Sequence, residues 1–458
     1  MWVLDGSVMK FNEARGRNVN LPKNVQYIIT TLEKAGYEGY AVGGCVRDTL
    51  LSKSPDDWDI TTSASPAQIK ALFTRTIDTG IQHGTITVLV GKETYEVTTY
   101  RIDGEYEDSR HPKEVIFTSD LLEDLKRRDF TINAMAYNDR SGIVDEFGGM
   151  EDLENKIIRC VGNPVERFTE DALRMMRAVR FSGQLGYGIE EDTARAVKEL
   201  APTLAKISAE RVCTELIKLM VSPHPDFLKK AYELGMTRVF LPEFDKAMIT
   251  EQNNPHHCYS VGEHILKSLT HVRNDKVLRF AMLFHDLGKA DTKTTDEDGI
   301  DHFYGHAPLS AQIAGDAMRR LRFDNDTRLK VVKLVQYHDM RIPLTPSGVR
   351  RAIVKLGGDL FPLLLEVKRA DFLAQSMFKR EEKEAELQEI EAIYQKILED
   401  KNCISLKTLA VTGSDLIERG MKPGKEIGQM LDQLFEIVLE NPELNTKKYL
   451  MEKISKIE

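Results

Sequence analysis

The stretch Gly39-Tyr40-Ala41-Val42-Gly43-Gly44-Cys45-Val46-Arg47-Asp48, with Asp57-Trp58-Asp59-Ile60 beginning nine residues beyond Asp48, decides how the first part of the chain is read. A short apolar strand runs into a glycine pair and then a helix. Glycines at such a junction let backbone amides approach a phosphate, and the helix N-terminus adds partial positive charge. Arg47, one turn into the helix, adds a guanidinium. The other reading is a plain glycine turn between two elements. Residues two apart on a strand share a face, so Asp57 and Asp59 converge while Trp58 turns away. Hard divalent cations take such oxygen ligands, whereas Ser54-Pro55-Asp56 just before fits an acidic surface loop. Glu96, in Glu96-Val97-Thr98-Thr99-Tyr100-Arg101, is either a third carboxylate or an exposed strand residue.

Outward from this stretch, residues 22–37 carry Val25, Ile28, Ile29 and Leu32 at helical spacing and end near Gly36. Residues 85–90 and 93–100 read as two β-branched strands turned by Gly91-Lys92. After about residue 150 the pattern is helical, with amphipathic stretches at 170–184, 193–220, 262–273, 310–321 and 327–337. Lys126-Arg127-Arg128 precede an apolar run, 130–136, read as a helix with Asp129 as its N-cap. In 167–181, Asp171, Arg174, Arg177 and Arg180 recur every third residue. A carboxylate beside a guanidinium fork can hydrogen-bond the polar edge of a base; a salt-bridged helix surface has the same pattern.

These four ordered motifs over residues 40–181 resemble those of bacterial class II tRNA nucleotidyltransferases and their poly(A) polymerase relatives. The resemblance implies an α+β protein: a nucleotidyltransferase-type mixed α/β head, then an all-helical neck and body, an HD domain and a tail. It implies that Asp57 and Asp59 bind catalytic Mg²⁺, with Glu96 as the candidate third carboxylate. Gly43, Gly44, Arg47 and Arg128 would contact the nucleotide, Asp171 and Arg174 would select CTP or ATP, and Arg177 and Arg180 would complete the contacts. The implied reaction is attack of the tRNA 3′-hydroxyl on the α-phosphate, building CCA without a nucleic-acid template. Gly80-Ile81-Gln82-His83-Gly84 resembles the CCA-adding branch, and the stretch 102–126, with Arg110-His111-Pro112, resembles the flexible loop of full CCA-adding and A-adding enzymes. An A-adding enzyme or a poly(A) polymerase is the alternative within the family.

Eight of the 11 histidines lie between residues 256 and 338. His256-His257, His285-Asp286, His306, His338-Asp339 and Asp371 mix imidazole and carboxylate, which suits a transition metal such as Ni²⁺, Mn²⁺ or Co²⁺. Their order resembles HD-domain phosphohydrolases, and the matching positions are His257, His285, Asp286 and Asp371. A helical scaffold holding hydrogen-bonded core histidines is the plainer reading. A metal phosphohydrolase whose head only senses nucleotide is the rival from another class.

The chain has 458 residues, enough for two or three structural units. The expected division is a catalytic head over 1–150, a helical nucleotide-selecting and tRNA-contacting part over 151–245, an HD-type part over 246–380 and a helical tail over 381–458. The 63 basic and 72 acidic side chains leave a formal charge of −9, which disfavours indiscriminate coating of nucleic acid. Five arginines against three acids between Arg159 and Arg180 still make a local basic patch for tRNA. Five scattered cysteines without paired spacing, no leader-like start and no long apolar run predict a cytoplasmic protein outside the membrane.

Overall fold

The computed structural model describes residues 19–103 and 115–457, so Arg110-His111-Pro112 of the expected loop lie outside the described residues. The chain divides into two compact units, Met1–Phe240 and Leu241–Glu458.

The first unit opens with α1 (Lys23–Lys34), whose Val25, Ile28, Ile29 and Leu32 are all buried. Their i, i+3, i+4, i+7 spacing makes one apolar stripe, and each such side chain contributes roughly 1.5–3 kcal/mol by leaving water. The helix ends before Gly36, which takes φ +86°. Strand β1 (Gly39–Val42) feeds α2 (Gly44–Leu50) through Gly43, and β2 (Asp59–Thr62) follows. Next come α3 (Pro66–Leu72), β3 (Thr76–Gly80), β4 (Thr85–Val90) and β5 (Glu93–Thr99). The hairpin β4–β5 turns at Gly91-Lys92 as its sequence predicts. A short pair, β6 (Arg101–Asp103) and β7 (Val115–Phe117), leads into α4 (Leu121–Lys126), then β8 (Ala136–Asn138) and β9 (Gly142–Val144). The main sheet runs β3-β4-β5-β2-β1-β8-β9. Within this sheet only β2 and β5 pair in parallel, and their register sets Asp59 opposite Glu96.

Two sequence expectations fail here. Residues 130–136 are not a helix: 131–133 form a single 3₁₀ turn and β8 begins at Ala136. The whole run is buried, and Gly149 packs so close that a Cβ there would lie 2.3 Å from the Thr131 carbonyl oxygen. A short apolar run buried on all sides carries no helical period, so composition alone cannot separate the two states. The stretch 193–220 is two helices, Glu191–Leu200 and Ala209–Met220, split by a 3₁₀ segment that opens at Ala201-Pro202. Pro202 cannot continue the backbone hydrogen bonding of a helix interior.

From residue 149 the first unit is almost wholly helical, with α5 (Gly149–Asn155), α6 (Pro164–Glu170), α7 (Leu173–Leu185), α8 (Glu191–Leu200) and α9 (Ala209–Met220). The second unit contains α10 (Val261–Leu269), α11 (Lys276–Phe284), α12 (His306–Arg320) and α13 (Asn325–Tyr337). It continues with α14 (Pro346–Leu356), α15 (Phe361–Leu373), the charged α16 (Arg380–Glu399) and α17 (Lys425–Glu440). A mixed α/β head followed by helices is the α+β class the motifs implied. Among the described residues no helix is long and apolar enough to cross a membrane.

Candidate active site

The β1–α2 junction forms one wall of a cavity of about 510 Å³. Gly43 has φ +81°, a conformation that favours glycine, and a Cβ there would lie 2.8 Å from Nη1 of Arg128, displacing that guanidinium from its place. Arg128 itself is held from behind by Asp124, at 3.5 Å, which also pairs with Arg127 at 2.8 Å. Arg47 is buried; its Nη1 donates to Oδ1 of Asn133 at 2.6 Å and its Nε to Asp48 at 2.8 Å. Asp59 opens on the same cavity at the start of β2. Asp57 lies in the loop just before that strand, exposed, and Trp58 is half-buried. Desolvation raises the Asp59 carboxyl; Arg128 opposes this and the Asp57 charge adds to it. Glu96 is raised as well, by desolvation and then by Asp59 and Asp57. The parallel register sets Asp59 and Glu96 side by side, and the Asp57 charge acts on both, so oxygen donors of the type a divalent cation takes are neighbours here.

The opposite wall comes from α7 and its flanks. Asp171 receives the Arg211 fork, with Nη2 to Oδ2 at 2.8 Å and Nη1 to Oδ1 at 3.3 Å, and the backbone N–H of Leu173 at 3.0 Å. Arg174 donates to Glu170 at 2.6 Å and to the carbonyls of Arg167 and Arg127 at 3.2 and 3.1 Å. Arg177 pairs with Asp129 at 2.6 Å, and Arg180 with Glu215 at 2.5 Å. All four side chains line the cavity with Gly43, Gly44, Arg47 and Arg128. Asp129, expected as a helix N-cap, therefore anchors Arg177 instead.

Burial would raise the Asp129 carboxyl, but Arg177 and Asn133 hold it down at about 2. A depressed acid stabilises the fold above its unfolded value, ~3.9, and that stabilisation is lost as pH falls through about 2. The difference in melting temperature between wild type and Asp129→Asn is therefore expected to shrink between pH 5 and pH 2, reflecting roughly 2 kcal/mol. A difference constant over that range removes the ion pair as its cause.

The second unit holds a separate centre. Among the described residues, His264, His285, Asp286 and Asp371 bring one donor atom each within 4.8 Å of all the others. Nε2 of His264 lies 3.2 Å from Nε2 of His285, 3.4 Å from Oδ2 of Asp286 and 2.9 Å from Oδ1 of Asp371. The other oxygen of Asp286, Oδ1, faces His306 at 3.4 Å and His338 at 3.5 Å. His285, His306 and His338 each set Nδ1 against the carbonyl three residues earlier, at 2.7, 2.9 and 2.7 Å, which turns Nε2 inward. Burial alone would lower the His285 imidazole, but the Asp286 charge and hydrogen bond, then Asp371, push it up to about 10. A donor set that favours positive charge so strongly suits a cation.

This corrects one expectation: the fourth member of the group is His264, not His257. His257 precedes α10 outside any helix, and its ring packs edge-on to that of His264 at 5.5 Å. His264 shares the buried face of α10 with Val261, Ile265 and Ser268, a helical spacing that could have identified it.

Residues 39–159 match the Poly A polymerase head domain family. Residues 186–248 match the "Probable RNA and SrmB- binding site of polymerase A", and 292–454 match tRNA nucleotidyltransferase domain 2. The CCA-adding enzyme of Lactobacillus helveticus is 37% identical over 430 residues, covering 92% of this chain and 95% of the relative. This chain belongs to the CCA-adding enzyme family. The CCA-adding enzyme of Limosilactobacillus reuteri is 36% identical over 94% of this chain and 95% of its own length. The solved CCA-adding enzyme of Bacillus stearothermophilus, in complex with CTP, superposes with a TM-score of 0.70 at 30% identity, covering 97% of this chain and 98% of that one. The Thermotoga maritima CCA-adding enzyme, at 19% identity and a TM-score of 0.59 over 98% of each chain, shares the fold. Nucleotidyltransferases of this family use a divalent metal. Local spacing gives no sign of Arg211, which lines the cavity from α9 and pairs with Asp171, or of Glu215, which pairs with Arg180; their helix reads as an ordinary amphipathic one.

Proposed function

We infer that the chain builds CCA onto the 3′ end of tRNA from CTP and ATP, without a nucleic-acid template. The observation that carries this is the single cavity in which Asp59, the glycine junction and a cluster of arginines meet Asp171 and Arg174. Asp57, Asp59 and Glu96 would hold Mg²⁺, which supplies charge neutralisation at the attacking hydroxyl and the leaving pyrophosphate. Gly43 and Gly44 leave room for the triphosphate, and Arg47 and Arg128 meet its oxygens. The tRNA 3′-hydroxyl attacks the α-phosphorus, the bond to the β-phosphate oxygen breaks, and pyrophosphate leaves. Asp171 accepts from the exocyclic amino group that cytosine and adenine share, while Arg174 donates to a ring acceptor. Arg211 and the Leu173 N–H fix the Asp171 carboxylate for that contact. Asp171→Ala is expected to relax the preference for CTP over UTP by roughly tenfold to a hundredfold on tRNA lacking CCA, since one base-edge contact is worth about 1–3 kcal/mol of discrimination. An unchanged preference, measured by competing nucleotides, would remove Asp171 from base selection.

This reading assigns the head to 1–150, nucleotide selection and tRNA contact to 151–245, an HD-type part to 246–380 and a tail to 381–458, in a cytoplasmic enzyme. The geometry of the second centre favours a second activity, metal-dependent phosphoester hydrolysis with Ni²⁺, Mn²⁺ or Co²⁺. His264, His285, Asp286 and Asp371 would hold the metal, with His306 and His338 beside it on the other oxygen of Asp286.

A further inference from the structure

Three guanidiniums of the first unit meet at one aromatic ring. The carbon at the centre of the Arg180 guanidinium lies 3.7 Å from the centroid of Phe181, that of Arg47 5.1 Å and that of Arg177 5.4 Å. Arg47 belongs to α2, whereas Arg177 and Arg180 belong to α7, so the ring ties the glycine junction to the helix carrying the base-selecting pair. Phe181 is 5% exposed, lines the cavity, and is braced edge-on by Phe130 at 5.8 Å. Each cation also has an anion or amide on a different element: Asn133 for Arg47, Asp129 for Arg177 and Glu215 for Arg180. Those partners sit on three different segments, and like charges this close repel. An aromatic ring presents negative potential on its faces, so it offsets the repulsion without adding a carboxylate that would compete with phosphate.

We propose that Phe181 is a positioning residue for the nucleotide triphosphate, acting through the π-face that gathers Arg47, Arg177 and Arg180 into one cradle. The proposal rests on the nucleotide reading of the cavity. It predicts that Phe181 governs how tightly both nucleotides bind and leaves the choice between them to Asp171 and Arg174.

The test is electrostatic and keeps the shape of the ring. In the full-length enzyme, Phe181 is replaced in turn by mono-, di- and trifluorinated phenylalanine, which progressively weaken the π-face. The KM for CTP and the KM for ATP are expected to rise in parallel, stepwise with fluorination, by about tenfold across the series, while kcat stays within about twofold. Phe181→Leu, with no ring, reaches the end of the same series. A residue that only fills space leaves KM flat across the fluorinated set, and that outcome, or a fall in kcat at constant KM, overturns the proposal. The unsubstituted enzyme run alongside reports separately on the nucleotide reading, because its failure to add C or A would sink that reading whatever the series does.

Discussion

Asp59→Ala is expected to reduce incorporation of CMP and AMP into tRNA by at least about a thousandfold, the effect of removing a proposed metal ligand worth several kcal/mol at the reacting phosphate. The variant should fold, because Asp59 is exposed at the first position of β2 and its removal opens no cavity in the core. Removing one carboxylate from the cluster should also relax the raised Glu96, since Asp59 is one of the charges that lifts it. Asp57→Ala is expected to have the same consequence for transfer, while hydrolysis at the second centre, built wholly from residues beyond 260, continues. Measured by radiolabelled nucleotide incorporation at saturating CTP and ATP, a loss below tenfold in either variant would separate these carboxylates from the chemistry.

The second large effect concerns the histidine-aspartate centre. With Ni²⁺ or Mn²⁺ supplied, wild type is expected to hydrolyse a generic phosphomonoester or a 2′,3′-cyclic phosphate, and His285→Ala to lose at least about a hundredfold of that turnover. His264→Gln should lose metal as severely, because His264 offers Nε2 to the same point as His285, Asp286 and Asp371. His257→Gln should retain it. Metal content after dialysis reads the same distinction independently of turnover. Metal retained by His264→Gln and lost by His257→Gln would reverse the assignment, and no His285-dependent turnover across a panel of divalent metals would reduce the module to a scaffold. CCA addition should be unchanged in all three variants.

What could be read from the sequence was whatever short-range spacing decides. The glycine junction, Asp57 and Asp59, and the three-residue recurrence of Asp171, Arg174, Arg177 and Arg180 sit close together along the chain, and the fold places all of them except Asp57 on the cavity. Other parts of the site depend on pairing between distant segments. Glu96 stands opposite Asp59 because β2 and β5 are in parallel register, which local spacing does not reveal. An apolar run after Asp129 gives it the local signature of a helix cap, yet its partner is Arg177, 48 residues away. Arg211 and Phe181 acquire their roles only when α7, α9 and the glycine junction meet. His264 has no adjacent histidine to mark it, unlike the pair His256-His257, and only the apolar spacing of the buried face of α10 carries its signal.

The central claim is tested most directly by sequencing the 3′ ends of tRNA transcripts that stop before C, before CC and before CCA is complete, after incubation with CTP, ATP or both. The expected result is that CTP alone carries ends to CC and no further, ATP alone extends only ends already at CC, and both together give CCA and then stop. Ends that remain unextended, or that grow an unlimited run of A on unrelated RNA, would contradict the account.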